Sequence, residues 1–425
     1  MDRGPSEGAS RPETPTPAGR PRGPRVLRSY TGLLADPAVH GFVAFGLVGR
    51  MSISMLSLGV VLLVSALRDS YALAGLVAAA LVLGEAIGAP LVGRLADRYG
   101  QARVLAADVP VHSLALVALL LACLHGQPSW QLVVAAALAG AAFPPVGSFV
   151  RTRWSHRLGG TPRLHTAYAF ESVLDELIFV VGPVAVTVLA TEVHPAAGIL
   201  AALAATIVGG IGFARQRGTE PGPQPRTREA RFVLRNPTVL VVTLATCVTG
   251  AALGSIDVAT VAFTSAEGAR WAAGPVLAVL AVGSGAGGLT FGAVHWRSDP
   301  ALRYALLSTA LGVLLLPLAF VSSLGLLFPL GLLSGVAIAP VIVAGNTLVE
   351  LRAPRPALTE ALTWVQTGLL GGVALGSWLA GQAVDILGGH HGYVVPSAMA
   401  LASTGVCWLG WLVLRRAGSR SAVDG

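Results

Sequence analysis

Apolar residues run through this chain in twelve long stretches, each of 18 residues or more, with short polar turns between them. They fall at about 41–66, 73–93, 104–124, 131–150, 168–190, 196–214, 238–263, 273–293, 304–322, 325–350, 361–383 and 393–414. Each is long enough to cross a hydrocarbon core of roughly 30 Å as a helix. Gly and Pro recur inside them, which membrane helices tolerate because neighbouring helices satisfy the freed backbone groups. The pattern predicts an all-α polytopic membrane protein with twelve transmembrane helices, here numbered as spans 1 to 12.

Composition agrees. Hydrophobic residues make up 54% of the 425 and charged residues 12%, against about a quarter charged in soluble proteins. All 29 basic residues are Arg. With a cytoplasmic N-terminus, 26 of them lie in the tails and inward-facing loops; Arg68 and Arg270 face outward, and Arg50 lies inside span 1. That asymmetry follows the positive-inside rule. The net charge of +8 therefore reports topology and not nucleic-acid binding. The expected location is the cell membrane (inner or plasma), multi-pass, with both termini cytoplasmic. Cys123, Cys247 and Cys407 fall on three separate spans, without metal-site or disulfide spacing. Residues 1–37 lack a signal-peptide core and read as a disordered cytoplasmic tail.

The chain also repeats itself. At an offset of 199, Ala74-Gly75, Gly84, Gly88 and Gly93 meet Ala273-Gly274, Gly283, Gly287 and Gly292. At an offset of 195, "GAAFPPV" from Gly140 meets "GVAIAPV" from Gly335. Span 2 thus matches span 8, and span 4 matches span 10. Six helices separate the copies, so equivalent spans run the same way. The expected architecture is two six-helix bundles in parallel pseudo-repeat, 38–214 and 237–416, joined by a cytoplasmic linker, 215–236, with a C-terminal tail at 417–425. The glycines let helix backbones approach closely, and the same spacing in both halves adds a dynamic role to the packing one.

Between spans 2 and 3 stands "GRLADRYGQARVL". Here the chain resembles the major facilitator superfamily, whose signature in this loop is G-x-x-x-D-R-x-G-R-[RK]. Gly93, Asp97, Arg98 and Gly100 match, and Arg103 supplies a trailing basic position; Gln101 and Ala102 depart from it. The second-half copy, "GAVHWRSD", keeps Gly292 and Arg297 but has Trp296 in place of the acid. The resemblance implies that Asp97 latches the cytoplasmic ends of the bundles, against the start of span 11 and Arg151 or Arg153. An acid near a helix end also suits the positive N-terminus of a neighbour. The other reading is a turn whose charges set topology only.

Span 5 carries Asp175 and Glu176 near the depth of the bilayer centre, with Glu171 about one turn nearer the cytoplasm. A charge there costs at least about 2.5–3.5 kcal/mol. Glu171 and Asp175, spaced i, i+4, share a face, and Glu176 is turned about 100° away. With Arg50 of span 1, near the depth of Glu171, and Glu85 of span 2, about two turns inside the Gly93 loop, as candidate partners, these acids are candidates for a proton-coupling site. Two alternatives stand beside it: a permanent Arg50–Glu171 bridge holding helices together, and direct contact with a cationic substrate. Gly182-Pro183 follows in the same span. In the proton-coupled exporters of the superfamily a Gly-Pro at this place kinks the helix. The paired glycines that usually follow are Val186 and Thr187 here, and span 4 lacks the Arg of many drug antiporters, so symport stays open.

The second half has few acids. Asp257, Asn346, Thr363, Trp364 and Gln366 are its candidate cavity residues, and Glu360 reads as a helix-end group. A largely apolar grip suits amphipathic molecules better than sugars. His112, four residues after Asp108, reads as its local pair. The nine histidines are scattered and His390-His391 has only Asp385 nearby, so no catalytic cluster or metal site forms; no ATP-binding G-x-x-x-x-G-K-[ST] is present. The sequence therefore predicts no enzyme and no cofactor. It predicts a secondary transporter, a proton-coupled exporter of drugs or secondary metabolites working as a monomer. Its partners would be a small-molecule substrate, protons and lipid. The alternatives are a proton symporter importing a metabolite and, from another class, a non-transporting sensor.

Overall fold

The structure is a computed structural model and describes residues 33, 36–158, 161, 163–222, 234, 236–293, 298–353 and 358–421. The greater part of the expected N-terminal tail lies outside the described residues, as do 223–233 of the linker, Trp296, Arg297 and residues 422–425. The side chain of Glu360 does as well. Among the described residues all regular structure is helical.

Among those residues, twelve helices are long and apolar enough to span a bilayer. We number them as the spans: α1 (Pro37–Arg68), α2 (Tyr71–Tyr99), α3 (Gln101–Leu124), α4 (Ser129–Ala141 and Val146–Leu158), α5 (Arg163–Val188) and α6 (Ala197–Arg215). The second half has α7 (Pro237–Ala266), α8 (Ala273–Ala293), α9 (Pro300–Leu315), α10 (Leu324–Gly335 and Ile338–Arg352), α11 (Leu358–Leu387) and α12 (Val394–Ser421). The last helix runs on to Ser421, past the expected boundary at 416.

The local sequence explains where the helices begin and break. α1 and α7 open alike: the side chains of Asp36 and Asn236 accept from the backbone N–H groups of Ala38 (3.0 Å) and Thr238 (2.9 Å), and a proline follows each cap. An N-cap acceptor satisfies an orphan donor, and proline at the first helical position gives up no hydrogen bond. α4 breaks where Pro144-Pro145 stands, and α10 breaks at the matching place before Pro340.

The glycine repeat reappears as a repeat of contacts. A Cβ on Gly84 would lie 2.2 Å from the carbonyl oxygen of Ala137, and one on Gly88 1.9 Å from that of Ala141. In the second half, Gly283 meets Leu332 O at 2.1 Å and Gly287 meets Val336 O at 1.9 Å. These are the same positions at the two sequence offsets. α2 packs on α4 as α8 packs on α10, backbone to backbone, and any side chain would force the helices apart. The repeat at Gly93 and Gly292 is different. Among the described residues nothing lies within 4 Å of a Cβ at either, so those two make no such close helix contact there.

We call the end at which α1 begins the near end, and the end at which it finishes the far end. The halves join across α2–α11 and α5–α8. These seams are related by the repeat: Gly75 would meet Ser377 O at 2.2 Å, and its copy Gly274 would meet Pro183 O at 2.2 Å. Both contacts lie towards the far end. There Arg270 also donates to Leu62 O (2.8 Å) and Ser65 Oγ (2.5 Å) of the other half. At the near end, among the described residues, the ion pairs stay within one half, Arg157 with Asp36 and Arg352 with Asp299.

Candidate functional site

Two of the polar groupings inside the helical body gather the candidate acids. The first is an ion-pair cluster of the first half. The i, i+4 spacing brings Glu171 and Asp175 onto one face of α5, and Arg50 of α1 reaches both. Its Nη2 lies 2.5 Å from Glu171 Oε2 and its Nη1 2.7 Å from Asp175 Oδ1, while its Nε donates to Gly46 O. α4 closes the cluster. Trp154 Nε1 donates to Glu171 Oε1 at 2.7 Å, and Arg151 Nη2 pairs with Asp175 Oδ2 at 2.9 Å. Glu171 is fully buried, whereas Asp175 keeps 29% of its side chain exposed. Two guanidiniums and two carboxylates balance, which is how charge is carried in low dielectric. Arg151, which the loop motif assigns to Asp97, is thus engaged with Asp175.

Glu176 does not join them. It is exposed and turned towards α8, where a Cβ on Gly285 would lie 3.0 Å from its Oε2. The three acids of span 5 therefore divide, two into a fixed cluster and one towards the opposing half. The rotation of about 100° per residue is the cause.

The second grouping is a cavity of about 420 Å³ between the halves. α1, α2, α4 and α5 line it from the first half, and α7, α8 and α11 from the second. Its wall is largely apolar, with Phe143 and Phe179 among the larger side chains. Its acids are Glu85 of α2 and Asp257 of α7. Ser57 donates to Asp257 Oδ2 at 3.0 Å, a bond that crosses between the halves. Ser54 donates to Ile178 O (3.0 Å) of α5. The space for that bond exists because Gly182 has no side chain; a Cβ there would lie 1.9 Å from Ser54 Oγ. Pro183 stands inside α5 and lines the cavity.

Of the candidates in the second half, Asp257 and Gln366 line this cavity. Asn346, Thr363 and Trp364 are exposed and lie outside its lining. Sequence reading passed over Ser54, Ser57 and Phe143. The i, i+3 spacing of the two serines on a span that also holds Arg50 was the available signal.

Only Gly100 separates α2 from α3: Asp97 and Arg98 stand exposed in the last turn of α2, and Gly100 is buried with φ +92, a conformation glycine adopts without strain. Arg103 is exposed. Among the described residues Asp97 has no hydrogen-bond or ion-pair partner. Of the latch that the motif implies, neither arginine contact is made, and the side chains at the start of span 11 lie outside the described residues. Arg153, its other expected partner, is fully buried and donates instead to Gln101 Oε1 (2.9 Å), Gln216 O (2.8 Å) and Thr219 Oγ1 (2.9 Å).

Two local readings change. His112 does not pair with Asp108, one turn before it; its Nδ1 bonds to Ala139 O of α4 at 2.7 Å. His390 meets Glu267 at 2.9 Å, and Asp385 points elsewhere, at the start of α2. The three cysteines are free.

Comparison with known proteins fits this geometry. The family model described as Major Facilitator Superfamily matches residues 42–316, about two thirds of the chain. No curated protein matches it in sequence. Among solved structures it is similar to the nucleoside transporter NupG, with TM-score 0.69 and 13% identity over 89% of this chain and 99% of that one. It is also similar to a bacterial homologue of the iron transporter ferroportin in an inward-facing state, with TM-score 0.68 and 14% identity over 91% and 99%. A third is an auto-inhibited peptide transporter of the POT family, with TM-score 0.67 and 13% identity over 90% and 97%. At these identities the likeness is one of fold.

Proposed function

This chain belongs to the Major Facilitator Superfamily, and from that premise we propose that it is a proton-coupled exporter of small amphipathic organic molecules. It is a multi-pass membrane protein of the secondary-transporter kind. The observation that carries the finer reading is the cavity between the halves, apolar in its wall, with one acid from each half, Glu85 and Asp257. At about 420 Å³ it is in the range of sites that enclose drug-sized ligands.

Alternating access supplies the mechanism. The halves rock about the cavity, which opens first to one side of the membrane and then to the other. The Arg-rich inner loops support cytoplasmic termini, which makes the near end cytoplasmic and this conformation the inward-facing one. Of the coupling candidates, Glu85 and Glu176 have no cation partner among the described residues and are the proton carriers, with Asp257 beside them. Arg50 engages Glu171 and Asp175 in the neighbouring cluster. The domains 38–214 and 237–416 are the two rocking bodies, and Asp97 is the near-end latch of the outward-facing state. One chain contains a full translocation path and works alone, in the cell membrane.

Inverted vesicles with an imposed pH gradient, challenged with a panel of hydrophobic compounds, test this. Antiport releases lumenal protons as a compound enters, and Glu85→Gln removes that release. Substrate and protons moving together assign symport instead, and movement that survives collapse of the gradient overturns proton coupling.

A further inference from the structure

Among the described residues the cations that reach into the helical body are already engaged. Arg50 and Arg151 balance Glu171 and Asp175 at 2.5–2.9 Å, and Arg270 is committed to Leu62 O and Ser65 Oγ. Among the described residues no Arg or His lines the central cavity, and the chain has no Lys. Glu85 and Asp257 therefore face a largely apolar space with no cation beside them.

The supply of hydrogen-bond donors is as one-sided as the charge. An ionised carboxylate only accepts. Ser57 gives its proton to Asp257 (3.0 Å), and Ser54 gives its own to Ile178 O (3.0 Å). Among the described residues, the amide of Gln366 is the one uncommitted side-chain donor of the lining. A carboxylate or phosphate ligand would find almost nothing to accept from and would add a third negative charge in low dielectric. A sugar would leave most of its oxygens unpaired. A ligand that is positively charged and otherwise apolar meets both constraints, and it also finds the faces of Phe143 and Phe179.

We propose that the central cavity binds lipophilic organic cations, hydrophobic amines or onium ions, with Glu85 and Asp257 as the anionic groups that select them. The proposal rests on the reading of this cavity as the transport site, and names its substrate class. One half contributes each acid, so an occupied site draws the bundles together through the ligand's charge.

Equilibrium binding of tetraphenylphosphonium and tetraphenylborate separates charge from size, because the two ions have the same shape and opposite sign. The full chain in nanodiscs is used, with partition into protein-free nanodiscs subtracted and no gradient imposed. The expected result is saturable phosphonium binding at least tenfold tighter than borate binding. Glu85→Gln and Asp257→Asn each weaken it at least tenfold, while Glu350→Gln, at an exposed acid of α10 outside the lining, leaves it unchanged. Equal binding of the two ions, preference for borate, or no phosphonium binding overturns the proposal. So does full phosphonium affinity in both cavity variants. The comparison of the two probes on the unaltered chain needs no variant to fold. Charge-selective binding without pH-driven movement in vesicles would keep this inference and overturn proton coupling; the reverse pattern would do the opposite.

Discussion

Asp385 near the end of α11 caps α2 of the other half: its Oδ1 accepts the backbone N–H of Tyr71 at 2.9 Å. Its Oδ2 accepts from the N–H of Ala72 (2.9 Å) and the hydroxyl of Ser70 (3.0 Å). The first helical turn has orphan N–H groups and a partial positive charge, and here a carboxylate from 314 residues away satisfies them. The bond seals the far end, and it must break whenever that end opens.

Asp385→Ala is therefore expected to favour the far-end-open conformation. A lost cap and a lost charge–dipole contact come to about 1–3 kcal/mol together, or roughly a fivefold to 150-fold change in the ratio of states. Spin-label distances between the far ends of α2 and α11 read this directly. An unchanged distance distribution would remove Asp385 from the gate.

The loop acid predicts the converse. Asp97 is exposed and, among the described residues, unpartnered in this conformation, so Asp97→Asn leaves thermal stability within about 0.5 kcal/mol of the parent chain. Its cost falls on the other state, and transport should drop tenfold or more. A large fall in melting temperature with normal transport would show that the residue is structural.

Glycine substitutions come with internal controls. Gly88→Ala and Gly287→Ala each push a methyl to 1.9 Å of a carbonyl oxygen, Ala141 and Val336. Overpacking of this kind costs about 1–3 kcal/mol. Gly93→Ala and Gly292→Ala meet nothing within 4 Å and should fold normally. Thermal unfolding of the four purified variants checks the pattern, and the two halves should respond alike.

The buried cluster predicts non-additivity. Arg50→Met leaves Glu171 charged, buried and without its guanidinium, a loss on the order of 3–5 kcal/mol. Replacing both, as Arg50→Met with Glu171→Leu, removes the orphan and should recover a good part of that loss. A double variant as unstable as the sum of the single ones would mean that the cluster is held by Trp154 and Arg151 instead.

Much of the fold was legible without coordinates. Twelve spans follow from runs of apolar side chains, since burial in lipid asks only that each segment be long and oily. The repeat was visible because close helix contact admits only glycine, so packing at Gly84, Gly88, Gly283 and Gly287 is written into residue identity. The division of the span-5 acids was half legible: helical rotation sets Glu176 apart from Glu171 and Asp175, but not which partner each meets.

Only the tertiary structure decided those partners. Arg151 goes to Asp175 and not to Asp97, Asp385 to the start of α2 and not to a histidine, and Glu85 and Asp257 come to one cavity from different halves. Local spacing fixes which residues share a face of one helix. Which faces meet depends on how twelve helices rotate and tilt against one another, and that is settled by the packing of the whole bundle.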